Sequence, residues 1–101
     1  MKKQKFKNKQ WSPKECDGKW NFFNDENEGE YLSDIWYDCA ADFWEGFARV
    51  QLNNKWNFLN TKDKLISDTW FDWAWDFTDG RALVKLNGEQ FYIDKQGKRI
   101  L

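Results

Sequence analysis

Residues 34–53 read DIWYDCAADFWEGFARVQLN, and residues 68–87 read DTWFDWAWDFTDGRALVKLN. At an offset of 34 residues, eleven of the twenty positions are identical, among them Trp36/Trp70, Phe43/Phe77, Gly46/Gly80, Ala48/Ala82, Val50/Val84 and Leu52/Leu86. Chance does not give that agreement, so the chain is an internal repeat. A second block precedes each copy: Lys19-Trp20-Asn21-Phe22-Phe23-Asn24 matches Lys55-Trp56-Asn57-Phe58-Leu59-Asn60. A decayed third version follows as Glu89-Gln90-Phe91-Tyr92-Ile93-Asp94. The spacing is 36 and then 34, because the loop over 25–30 is two residues longer than its partner. These blocks define one domain over 11–101, with repeat 1 at about 19–54, repeat 2 at about 55–88 and a half repeat over 89–101. Terminal units of a stack depart from consensus because they cap it.

Each repeat reads as β structure, and the fold class is all-β: tandem three-stranded antiparallel meanders with short helical turns at most. Ala48-Arg49-Val50-Gln51-Leu52 alternates as a half-buried strand does. One turn slot holds Asp17-Gly18, Asn53-Asn54 and Asn87-Gly88, pairs suited to type I′ hairpins whose central residues need positive φ. Third strands are expected at Tyr31-Leu32-Ser33, Leu65-Ile66-Ser67 and Arg99-Ile100-Leu101, with compact connectors over 36–46 and 70–80. A hairpin closed at Asn53-Asn54 sets Val50 opposite Asn57, Arg49 opposite Phe58 and Gln51 opposite Trp56. Trp56 and Phe58 then share one face, and Val50 and Leu59 the other. One face is expected to meet the neighbouring repeat and the other to lie under the Trp-rich connector. Trp20, Trp56, Phe43, Phe77, Val50 and Val84 are the expected core, and the repeated Trp36/Trp70 pair belongs with them.

Composition narrows the function. The chain has 101 residues with eight Trp, nine Phe and three Tyr, a load that lets few residues build a core. Net charge is −1, unevenly placed. The tail over 1–10 is basic, with Lys2, Lys3, Lys5, Lys7 and Lys9, whereas 25–48 carries eight acids and no base. An acidic body argues against nucleic acid as the main ligand and leaves only a weak contact by the tail. No apolar segment follows the lysines as in a signal peptide, and no apolar run has the ~18 residues of a membrane span, so the expectation is a cytoplasmic protein with Cys16 and Cys39 reduced. Histidine is absent, which removes His-based metal sites and triads. No metal or cofactor is expected. The pairs Asp38/Asp42 and Asp72/Asp76 invite comparison with the two carboxylates of glycosidases. Their copying into each repeat fits backbone capping better than catalysis.

If the chain binds a partner, the contacts are expected where the repeats differ, because shared residues are committed to the fold. That selects Trp44, Glu45, Trp73 and Trp75, together with the acids of the longer loop, Asp25, Glu26, Glu28 and Glu30. Exposed Trp is enriched at interfaces. The competing expectation is that Trp73 and Trp75 plug the end of the stack. The function expected is a non-catalytic protein–protein interaction module. A bias of thirteen Lys to three Arg fits an AT-rich bacterial or phage genome, and one form of this reading is an inhibitor of a host or defence protein. The alternatives are a carbohydrate-binding module, with Trp faces on sugar rings, and a structural subunit of a virion or appendage.

The aromatic strands at 20–24 and 56–60, and the segments Phe43-Trp44-Glu45-Gly46-Phe47-Ala48-Arg49-Val50 and Phe77-Thr78-Asp79-Gly80-Arg81-Ala82-Leu83-Val84, resemble the WG (KWG) repeat family of bacterial proteins. The resemblance covers roughly 17–101. It departs from the family pattern where Asn21 and Asn57 stand in place of Gly after Trp, and where the third copy lacks Trp. The resemblance implies a β-repeat architecture and an interaction role, and it implies no catalytic residue.

Overall fold

The computed structural model describes residues 10–27 and 29–101; the tail over 1–9 and Glu28 lie outside the described residues. Among the described residues there are nine strands and no helix. They are β1 (Trp11–Cys16), β2 (Lys19–Asn24), β3 (Cys39–Trp44), β4 (Phe47–Leu52), β5 (Lys55–Asn60), β6 (Trp73–Ala74), β7 (Ala82–Leu86), β8 (Glu89–Ile93) and β9 (Arg99–Ile100). They form three antiparallel sheets in chain order, β1-β2, β3-β4-β5 and β6-β7-β8-β9.

The hairpins fall where the turn residues put them. Asp17, Asn53, Asn54 and Asn87 have φ between 52° and 66°, and Gly18 and Gly88 lie at 83° and 84°. The register matches the expected pairing: Val50 faces Asn57, Arg49 faces Phe58 and Gln51 faces Trp56. Glu45-Gly46 and Asp79-Gly80 make two more reversals with positive φ at both residues. They turn the connector back on the following strand.

Two expectations are corrected. The connector of repeat 1 is itself a six-residue strand, β3, paired with β4 through a bulge between Ala40 and Phe43. In repeat 2 it shrinks to the two residues of β6. The sequence Ala40-Ala41-Asp42-Phe43 does not alternate, because the bulge absorbs a residue and hides the two-residue period. The expected third strands are correspondingly slight. They are single bridges, Phe23 with Tyr31 and Leu59 with Leu65, and then the short β9. In the first two copies a buried amide extends this pairing. Asn21 Nδ2 donates to Ser33 O at 2.8 Å and Asn21 Oδ1 accepts from the Ser33 N–H at 3.2 Å, and Asn57 Nδ2 donates to Ser67 O at 2.9 Å. The Asn that replaces the family glycine therefore does a strand's work with its side chain.

A core lies between each consecutive pair of sheets. Trp56 and Phe58 of the middle sheet join Val84 and Ile93 of the third sheet and Phe71 and Phe77 of the connector that leads into it. Val50 and Leu59, on the opposite face, join Phe22 and Tyr37, with Trp11, Trp20, Phe43 and Trp70 packed around them. Both faces of the middle hairpin thus meet a neighbouring repeat, and the Trp56/Phe58 face lies, as expected, against the Trp-rich connector over 70–80 through Phe71, Trp73, Ala74 and Phe77. Of the expected core, Trp56, Phe77, Val50 and Val84 are buried, while Trp20 and Phe43 are half-buried at its edge. Each fully buried aromatic contributes about 1.5–3 kcal/mol from area removed from water.

Candidate functional site

The side chains that link repeats also define what is left for a partner. Glu45, in the turn after β3, accepts the Asp79 N–H at 2.7 Å and the Gly80 N–H at 2.9 Å. Lys95 lies 3.4 Å from the same carboxylate. The Gly80 N–H first, then the Asp79 N–H and Lys95, hold the Glu45 carboxyl below the usual range. One turn is thereby fastened to the equivalent turn of the next repeat. Arg49 on β4 does the same at the sheet centre: Nε donates to Asp76 at 2.8 Å and Nη1 to Ala74 O at 2.9 Å. Its guanidinium lies 5.3 Å from the Trp56 ring and 5.7 Å from the Trp73 ring, within cation–π range.

The non-repeated tryptophans separate into two kinds. Trp73 is half-buried, edge-on to Trp56 at 5.4 Å and to Trp75 at 5.4 Å. Trp75 leaves β6 with its N–H on Leu83 O at 2.9 Å and stays 50% exposed. Trp44, the last residue of β3 opposite Phe47, is 51% exposed. The loop acids lie on the first sheet's side. Asp25 is exposed and takes the Ser12 hydroxyl at 2.7 Å; Glu26 is exposed; the Glu30 carboxylate accepts from Asn24 Nδ2 at 2.9 Å. Glu28 lies outside the described residues. The structure thus joins Trp73 to Trp75 and ties Glu45 into the fold. Asp25, Glu26 and Glu30 stand two sheets away in sequence order from Trp75.

Three of the four paired aspartates are committed to the scaffold. Asp38 binds the Lys19 ammonium and accepts the Asn53 N–H at 2.9 Å. Asp72 repeats this with Lys55 and with the Asn87 N–H at 2.8 Å. The lysine, and then the turn N–H, lower both carboxyls from their ordinary value. Asp76 is held by Arg49, and Asp42 is exposed. No group of three or more Cys, Asp or Glu side chains that could hold a metal ion is found among the described residues, and Cys16 and Cys39 are free. No described helix is long and apolar enough to cross a membrane.

Sequence reading missed the outer face of the third sheet. Tyr92 is 37% and Ile100 40% exposed there, opposite the face that Val84 and Ile93 bury. Trp75, Asp79, Arg81, Leu83 and Tyr92 line a shallow depression of about 260 Å³. The signal was present in the third aromatic strand, where Gln90 and Tyr92 replace Trp56 and Phe58. Those are the forward-facing positions of β5, and their drift toward polar residues marks a face that meets water.

Against this geometry, two adjacent stretches, residues 26–56 and 58–89, match the family model described as WG containing repeat. No curated protein and no solved structure matches the chain. The family match spans more than half of the sequence, and the chain belongs to the WG repeat family.

Proposed function

From this membership and the exposed aromatics, we propose that the chain is a protein–protein interaction module without catalytic function, which binds a protein partner through exposed tryptophans set among acids. The observation that carries the reading is the half exposure of Trp44 and Trp75, large apolar rings at the end of β3 and just beyond β6 that are left in solvent. Such residues are expensive on a surface with no partner and are enriched at binding hot spots. Asp25 and Glu26 supply exposed negative charge that favours a basic partner and speeds association at low salt. The reading puts the protein in the cytoplasm of a bacterium or of a phage-infected cell, acting as an inhibitor of a host or defence protein. Support for that setting comes from the lysine-rich composition. The test is photocrosslinking from positions 44 and 75 in bacterial cytosol, followed by affinity measurement on the captured protein. The Trp44→Ala/Trp75→Ala variant is expected to lose at least ~2 kcal/mol of binding, the scale of a hot spot, while keeping its denaturation midpoint. Specific signals on a glycan array, with no crosslinked protein, would replace this reading by carbohydrate binding.

A further inference from the structure

The faces of successive sheets repeat at the offset that relates the sequences, so the buried interface between the second and third sheets is a template for the face left open. At the buried interface Phe77 sits with its ring 5.0 Å from Phe47 and 4.8 Å from Phe58. The turn that follows it, Thr78-Asp79-Gly80, gives two N–H groups to the carboxylate of Glu45. Thirty-four residues on, Glu45, Phe47, Arg49 and Phe58 become Asp79, Arg81, Leu83 and Tyr92. These four line the depression of about 260 Å³ on the third sheet. Leu83 faces Tyr92 in the register by which Arg49 faces Phe58. The Asp79 carboxylate, the counterpart of Glu45, has no hydrogen-bond or ion-pair partner among the described residues. The Arg81 guanidinium lies 4.1 Å from the Tyr92 ring, on the ring that corresponds to Phe58.

We infer that this depression is a receptor for a β-turn on a separate protein, with an aromatic residue followed three positions later by glycine. The partner's ring takes the place that Phe77 takes in the buried interface, stacked on Tyr92 with the Arg81 guanidinium on or beside it. The two N–H groups of the partner's turn donate to the Asp79 carboxylate. Trp75 closes one side. The inference rests on the module reading and names one of its contact surfaces and the chemistry recognised there. A second copy of the chain is the poorer occupant. Phe77, the ring such a copy would offer, is already 2% exposed in its own core, and Phe43 is packed 4.8 Å from Phe22.

The probe is a backbone-cyclised hairpin carrying residues 73–86 of this sequence, WAWDFTDGRALVKL, the segment that fills the buried interface. It is titrated into the full chain while backbone amide resonances are followed. Saturable binding below ~1 mM is expected, with the largest shifts at Arg81, Leu83 and Tyr92. Phe77→Ala in the peptide is expected to weaken binding at least tenfold, and Asp79→Asn in the chain to do so as well. Arg81→Phe and Tyr92→Phe in the chain rebuild the Phe47 and Phe58 surface and are expected to tighten it, an outcome that loss of folding cannot imitate. Lys62→Ala, in the exposed turn after β5, serves as a control with unchanged peptide affinity. Absence of saturation, or shifts centred away from the third sheet, overturns the inference. So does a concentration-dependent doubling of mass of the chain alone that Tyr92→Ala abolishes, because the occupant is then a second copy. A negative titration alongside a Trp44-dependent crosslink would leave the module reading standing and remove only this surface.

Discussion

Single residues carry the turns, and two of them make sharp predictions. Gly97 has φ of 80°, and a Cβ there would lie 2.7 Å from Ile66 O. Gly88 has φ of 84° with nothing within 4 Å of a Cβ. Gly88→Ala therefore meets only the left-handed penalty of about 1–2 kcal/mol, whereas Gly97→Ala adds a backbone clash between the last reversal and the third segment of repeat 2. Urea denaturation should rank Gly97→Ala as the costlier by more than about 1 kcal/mol, and equal losses would show that the two segments are not in close contact. The paired lysine–aspartate contacts predict acid sensitivity. Lys19 and Lys55 hold the Asp38 and Asp72 carboxyls below the unfolded value of about 3.9. The folded state thus binds fewer protons, and the stabilisation is complete above about pH 5 and lost as pH falls through the lowered folded values. The midpoint of thermal unfolding should be level near neutrality and decline below about pH 4, less steeply in Asp38→Asn/Asp72→Asn. An identical acid slope in that variant would assign the decline to other carboxylates.

Elements show where sequence could speak and where it could not. The hairpins β1-β2, β4-β5 and β7-β8 were legible because Asp17-Gly18, Asn53-Asn54 and Asn87-Gly88 fix both turn and register locally. β3 was not, because its bulge erases the alternation by which a strand is recognised. The site was legible in part. Comparing repeats picked out Trp44 and Trp75, which are exposed. It grouped Trp73 and Glu45 with them, yet those side chains reach across to a neighbouring sheet, a contact between elements that no local pattern encodes. Trp73 and Trp75 should therefore behave differently. Trp73→Ala removes the edge-on contact with Trp56 and the cation–π contact with Arg49. It should cost about 2–4 kcal/mol, whereas Trp75→Ala should stay within about 1 kcal/mol of wild type. Equal, small losses in chemical denaturation would mean that Trp73 is as free as Trp75.

At the scale of the molecule, the described chain spans 52 × 31 × 18 Å, three sheets placed one after another with a core in each gap. Among the described residues, only the middle sheet has a core on both faces. In such an array stability is a sum of unit and nearest-neighbour terms, and the ends open first. Amide hydrogen exchange should be slowest in β4 and β5 and faster in β1 and β9; protection highest in β7 and β8 would mean that the third sheet is the independent folding unit. The one-way order of the interfaces also bears on synthesis. When β5 leaves the ribosome, Trp56 and Phe58 have no partner for their forward face, because Phe77 lies about twenty residues further on. At roughly 5–20 residues per second, those two rings stay bare for about one to four seconds. During that interval they are available to neighbouring nascent chains on the same message, so the yield of soluble protein depends on the pace of translation across residues 61–77.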